Sequence, residues 1–468
     1  MKKDINFETY QSPFTWRYGS DKMRSIFSEI NKRKTWRRVW VALARAQAKA
    51  GLLTKQELSD IEKNSGKINI KRSLEIEKEI YHDVMAEIKT FAESAKVGGG
   101  KIHLGATSTD IDDNAEIVRI KEALGIIETK LENLIKNFAK KIEKYQATVC
   151  MGYTHLQPAE PTTVGHRFAL YAQDLFEEFT ALSQFRNKIR AKGMKGAVGT
   201  SASYQKLLEG TKINAASLSE QVMKELGLSE VIVSGQTYPR KTDYILVSTL
   251  ASIAQTLHKF CFDFRILQSP NFGEWSEARS SKRVGSSAMP FKKNPDKAEK
   301  VCSLARFIST FPQVAWNNAA NSLLERTLDD SAARRIFIPE AFLATDEMII
   351  TTNELIESLT VHEDSIKRNL EKFGLFAGTE SLMMEAVKNG ADRQRFHEKI
   401  REISMLAWEK INEGEINPLI NLLKNDKIVT KFVEKGKIAQ LLEPAHHIGL
   451  AQIYCQKLLT EIKKELKI

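Results

Sequence analysis

Cysteine is scarce in this chain: Cys150, Cys261, Cys302 and Cys455 stand far apart among 468 residues. No Cys-x-x-Cys pair or other short spacing occurs, which argues against a disulfide framework and a structural zinc site and for a reducing compartment. Uninterrupted apolar runs of the roughly 18 residues that a membrane span needs are also missing. Met1 to Tyr10 is polar and charged where a secretory leader needs an apolar centre, so a cytoplasmic protein without a membrane partner is expected. Only 11 prolines punctuate the chain, and alternating β-branched runs bounded by turns are rare, which argues against a strand-rich domain. Internal repeats and low-complexity tracts are absent.

What the chain does have is helical rhythm. Apolar residues recur in steps of three and four at Ile117, Ile120, Leu124, Ile127, Leu131, Leu134, Phe138 and Ile142. The same period runs from Phe168 to Ile189, from Leu246 to Phe264, through Leu304, Ile308 and Phe311, and from Phe342 to Leu359. Such spacing places one apolar stripe along each helix. Five segments of this kind predict an all-α bundle, and long bundle helices with a second apolar stripe favour self-association. At 468 residues the chain is too long for one ordinary domain. The expected division is an N-terminal helical domain over 1–110, a central long-helix domain over 111–362 and a C-terminal helical domain over 363–468. The formal charge of +11 suits a nucleic acid or a small anionic substrate and does not choose between them. The lysines are scattered, and no helix face gathers them as a nucleic-acid footprint requires.

Three polar, glycine-containing stretches interrupt the helices: Val97 to Asn114, Gly152 to Gly165, and Asn271 to Pro295. Loops on a rigid scaffold are where chemistry concentrates. The third carries Gly285-Ser286-Ser287-Ala288-Met289-Pro290-Phe291-Lys292-Lys293-Asn294-Pro295, two hydroxyls and two ammonium groups in one segment. The second, Gly152-Tyr153-Thr154-His155-Leu156-Gln157-Pro158, carries a histidine, the side chain whose unperturbed pKa lies nearest neutrality. The first, Gly105-Ala106-Thr107-Ser108-Thr109-Asp110, leads into a long helix expected to start near Asp113. There the free N–H groups of a helix N-terminus favour a carboxylate or phosphate, while Asp110 or Asp112 caps.

These segments together resemble the signatures of the fumarase/aspartase superfamily. The resemblance implies a three-domain fold around a long central helical bundle, no cofactor, and elimination of fumarate. On it, Ser286 is the general base and His155 the general acid. Lys292 faces the developing carboxylate charge with Asn294, and Glu299 orients His155. Fixed cations suit that role because the intermediate is a carbanion delocalised into a carboxylate.

Other residues narrow the resemblance to the adenylosuccinate lyase family, on its longer, animal-type branch. They are Ser12-Pro13 with Arg17-Tyr18, Tyr81-His82-Asp83-Val84-Met85-Ala86, Gly235-Gln236-Thr237-Tyr238, and the run from Glu325 to Arg335. By that resemblance the substrate contacts are Arg17, Tyr18, Tyr81, His82, Asp83, Thr107, Ser108, Thr154, Gln236, Asn294, Lys300, Arg326, Ser331 and Arg335. It implies purine nucleotide substrates, no nucleic-acid partner, and a homotetramer whose active sites combine loops of several subunits. Several arginines suit a substrate with one phosphate and two carboxylates, because guanidinium forks bind both groups. The chain departs from the family pattern at Tyr81 and Lys300, both arginine positions, and at Phe291, where histidine or tyrosine is usual. A Lys at 300 keeps charge but loses the bidentate fork.

Overall fold

The computed structural model describes residues 8–278 and 285–467. The protein is 69% helical, and four of the five expected apolar rhythms each follow one long helix. Ser108–Tyr145 is a single helix of 38 residues, roughly 57 Å long at 1.5 Å per residue. It begins five residues before the expected start, because Asp110 reaches back to the backbone N–H of Thr107 at 3.0 Å and closes the first turn. Asp112 caps nothing and instead accepts the Trp36 indole N–H at 3.0 Å. Val164–Lys188, Lys241–Gln268 and Asp329–Ser358 are the other long helices. The Leu304, Ile308 and Phe311 rhythm is split between two helices, Asp296–Ile308 and Phe311–Ala320. Pro312 lies in the first turn of the second, where its missing N–H costs nothing, and it could not continue the helix before it.

By compactness the chain forms two units, the first from 1–131, 178–255 and 303–350 and the second from 132–177, 256–302 and 351–468. In the first, Trp36 and Trp40 on Glu29–Lys49 pack edge to face, and Trp40 meets Phe91 at 6.2 Å. Beside them Arg37 and Glu87 form a buried ion pair at 2.8 Å. The second unit is centred on Trp275, stacked on Phe168 at 4.8 Å, and on Phe138, edge-on to Phe260 at 5.0 Å. Its C-terminal part has its own apolar cluster, in which Leu382, Phe396, Ala407, Leu419 and Val429 are all but inaccessible.

The stretch Gly152 to Gly165, expected as a loop, is mostly strand. Val149–Thr154 and Gln157–Thr163 pair antiparallel, with a register shift between Met151 and Tyr153. Gly152 sits in that shift, where a Cβ would lie 2.5 Å from the Glu160 carbonyl oxygen.

Candidate active site

The hairpin explains how His155 is displayed. Thr154 pairs with Gln157, so His155 and Leu156 are the whole turn, and both have positive φ, 55° and 59°. A two-residue turn with both φ positive matches strand twist but is normally filled by Asn and Gly. Holding two ordinary side chains there costs roughly 1–2 kcal/mol each. The turn and its flanks, Thr154 and Gln157, are exposed. Below it Arg167 joins strand to core, donating to the Met151 carbonyl and to Glu274, both at 2.6 Å. Asn369 holds the other Glu274 oxygen at 3.0 Å. Tyr153 meets Phe272 edge-on at 5.0 Å, and burial, reinforced by the Glu274 charge, raises its pKa so that it stays a neutral phenol.

In the third polar stretch, residues 279–284 lie outside the described residues, and the rest is organised around Ser286. Its Oγ accepts the backbone N–H groups of Met289 at 3.0 Å and Ala288 at 3.3 Å. Asn294 closes the segment by donating to the Gly285 carbonyl at 2.9 Å, and Gln268 donates to the Lys293 carbonyl at 3.0 Å. Lys292 is exposed, and Phe291 is 80% exposed. The following helix, with Glu299 and Lys300 in its first turns, is capped from a distance by Glu277, which accepts from Lys297 and Ala298. Glu299 faces Arg265 at 3.8 Å. Among the described residues, His155, Ser286 and Glu299 make no hydrogen bond with one another.

Apart from Thr154, Asn294 and Lys300, the expected substrate contacts lie in the first unit, and many are linked. His82 caps the helix Asp83–Ser94, its Nδ1 accepting from the Met85 N–H at 3.3 Å. Its Nε2 lies 3.3 Å from the Ser108 Oγ. Asp83 accepts from Arg335 at 2.7 Å. Burial opposes ionisation of Asp83, yet the Arg335 bond and charge outweigh it and hold the carboxyl below its usual range. The Gln236 main chain joins two loops, its N–H donating to the Glu325 carbonyl at 3.0 Å and its carbonyl accepting from Thr109 at 2.6 Å. Arg326 contacts Asp330 at 3.1 Å, and Asp330 is also gripped by Arg240, which forks onto Asp113. Ser331 and Arg335 line a cleft of about 100 Å³ in which Lys32, Arg119 and Arg334 stand with the acidic Glu29, Asp112 and Glu116. Arg17 lies over the rings of Trp16 and Tyr18, 5.6 and 5.9 Å from their centroids. Tyr81 is left-handed at φ 54° and 90% exposed.

Residues 16–309 match the family model for lyases, and residues 375–458 match the model for the adenylosuccinate lyase C-terminus. The adenylosuccinate lyase of Schistosoma mansoni is 37% identical, over 95% of this chain and 93% of that one. That of Saccharomyces cerevisiae is also 37% identical, over 97% and 94%, and that of Archaeoglobus fulgidus 35%, over 97% and 99%. The chain belongs to the adenylosuccinate lyase family, within the fumarase/aspartase superfamily. It is thus a lyase enzyme. Solved structures share the fold: a 3-carboxy-cis,cis-muconate lactonizing enzyme from Pseudomonas putida, 22% identical over 98% of this chain and 100% of that one, has a TM-score of 0.85. A fumarate lyase from Mesorhizobium sp., 22% identical over 97% and 99%, has one of 0.82.

Two features of this lyase escape a reading of the sequence. Asp110 is fully buried and gathers the Lys192 ammonium at 2.5 Å, the N–H groups of Lys195 and Gly196 at 3.1 Å, and the Tyr204 hydroxyl at 3.1 Å, besides Thr107. It ties the Thr107 loop to a glycine turn more than eighty residues away, which no local pattern signals. His103, at φ 70°, accepts the Trp40 indole N–H at 3.1 Å. Burial pushes its pKa down to about 4, so it is neutral.

Proposed function

We propose that this lyase removes fumarate from adenylosuccinate, leaving AMP, and from the succinylated aminoimidazole carboxamide ribotide, leaving the carboxamide. Both substrates carry a succinyl group on nitrogen, so one site serves both. Ser286, as the alkoxide, takes the proton from the carbon beside a carboxylate. The electron pair delocalises into that carboxylate, whose doubled charge Lys292 and Asn294 stabilise. The carbon–nitrogen bond then breaks as the double bond of fumarate forms, and His155 delivers a proton to the departing nitrogen. Arg326, Ser331 and Arg335, with Arg17 and Tyr18, hold the nucleotide; Tyr81 and Lys300 take the places of two arginines of the family pattern.

The observation that carries this reading is the pair of N–H groups on the Ser286 Oγ. A serine hydroxyl is a poor base unless its oxyanion is stabilised, and hydrogen bonds to a charged acceptor contribute about 1.5–3 kcal/mol each. The same reading includes a cytoplasmic homotetramer with sites built from several subunits. Supporting the assembly, Ile245 and Phe262 of Lys241–Gln268, Phe307 of Asp296–Ile308, Trp316 of Phe311–Ala320 and Ile336 of Asp329–Ser358 are each 40–60% exposed. Lys241–Gln268 is long and apolar enough to cross a membrane, with half its most apolar window buried inside the chain. We assign its outward apolar residues to neighbouring subunits. Among the described residues Glu299 makes no hydrogen bond with His155 of its own chain, so in this assembly Glu299 of another copy orients His155. The test is to give the purified protein each succinylated substrate in turn and follow fumarate. Release from both is expected; release from neither would overturn the proposal, and release from one alone would remove the shared site.

A further inference from the structure

The C-terminal part of the second unit holds a cleft that the elimination chemistry does not use. Its volume is about 360 Å³, within the range of small-ligand sites. One wall is the helix Arg393–Asn412, which presents Arg393, His397 and Arg401 four residues apart and so on one face. Arg401 is forked onto Glu398, with its Nε at 2.9 Å and its Nη2 at 2.5 Å from the two carboxylate oxygens. Arg393 and His397 make no side-chain hydrogen bond or ion pair with any described residue. Met383 and Ile400, 9% and 7% exposed, supply apolar surface inside the cleft. Glu380, on the helix Thr379–Lys388, adds a carboxylate to the lining of the same cleft.

We infer that this cleft is a second ligand site, for a small phosphate monoester that carries hydroxyl groups, of the size of a pentose phosphate. The Arg393 guanidinium matches two phosphate oxygens at once, and the His397 imidazole lies one turn away to donate to a third. Glu380 accepts from hydroxyls on the body of the ligand and repels a polyanion that would fill the cleft with charge. The apolar residues cover the carbon skeleton. The site is independent of Ser286 and His155, so it stands or falls apart from the proposed reaction.

The experiment uses the full-length protein with ¹³C-methyl methionine, the Met383 signal being assigned by its loss in Met383→Leu. Ribose 5-phosphate is the probe, with ribose and inorganic phosphate as comparisons. The inference expects ribose 5-phosphate to shift the Met383 methyl saturably, ribose to leave it in place, and inorganic phosphate to act more weakly. In the Arg393→Ala/His397→Ala double variant the apparent affinity should fall at least about tenfold. Both positions are exposed, so the fold should survive, which an unchanged melting temperature verifies. A Met383 signal that ignores ribose 5-phosphate, or that responds equally in the double variant, would overturn the inference.

Discussion

Ser286 and His155 solve opposite problems of display. Ser286 folds inward onto two backbone donors, which favours the charge a base must carry. His155 is pushed outward at a strained turn, with its hairpin pinned from below by Arg167 and Glu274. A third residue, His103, acts through stability. Its pKa in the fold is about 4 against an ordinary 6.5, so between those values the unfolded chain binds the extra proton. Its contribution is therefore complete above pH 6.5 and is lost as pH falls toward 4, by up to about 3 kcal/mol. Asn tolerates the left-handed backbone and can still accept the Trp40 N–H. Urea unfolding at pH 7 and pH 5 should thus show a smaller difference for His103→Asn than for the wild type; equal differences would remove this role. The sequence made His155 and Ser286 legible because each sits in a contiguous motif. It hid His103, whose role comes from burial and from a tryptophan 63 positions away.

The helices were legible for the same reason that they form: each long apolar rhythm continues through the residues that are now fully buried, such as Ile117, Leu124, Leu131 and Phe138. Less legible were the places where tertiary partners override local pattern. The hairpin at 149–163 has prolines at 158 and 161 and little alternation, yet it is held by Arg167 and Glu274. Asp110, which closes the first turn of Ser108–Tyr145 locally, also has partners 82 and 94 residues away that no local pattern reveals. Asp110 ties the Thr107 backbone to Lys192 and to the Lys195–Gly196 turn. Replacing Lys192 by Met strands a buried carboxylate and should cost about 3–5 kcal/mol of stability. Tyr204→Phe removes one donor, should cost only about 1 kcal/mol, and should raise KM for the succinylated substrate severalfold with little change in kcat. Unchanged KM in Tyr204→Phe would separate Asp110 from substrate binding.

On the scale of the whole molecule, the proposed site residues are divided between the two compact units, with Ser286, Lys292 and His155 in one and His82, Ser108, Arg326 and Arg335 in the other. Among the described residues Glu299 makes no hydrogen bond with His155 of its own chain, and apolar side chains face outward along the long helices. The last two features fit the proposed site completed by other copies of the chain. The sequence could name these residues from motifs but not assign them to subunits, because a motif records neighbours along the chain and not across an interface. One measurement tests the reaction, both proton-transfer residues and the shared site together: fumarate released from adenylosuccinate by inactive Ser286→Ala and His155→Ala proteins, alone and after subunit exchange. The account predicts no release from either alone and restored release from the mixture. Full turnover by either variant alone, or no recovery after confirmed exchange, would contradict it.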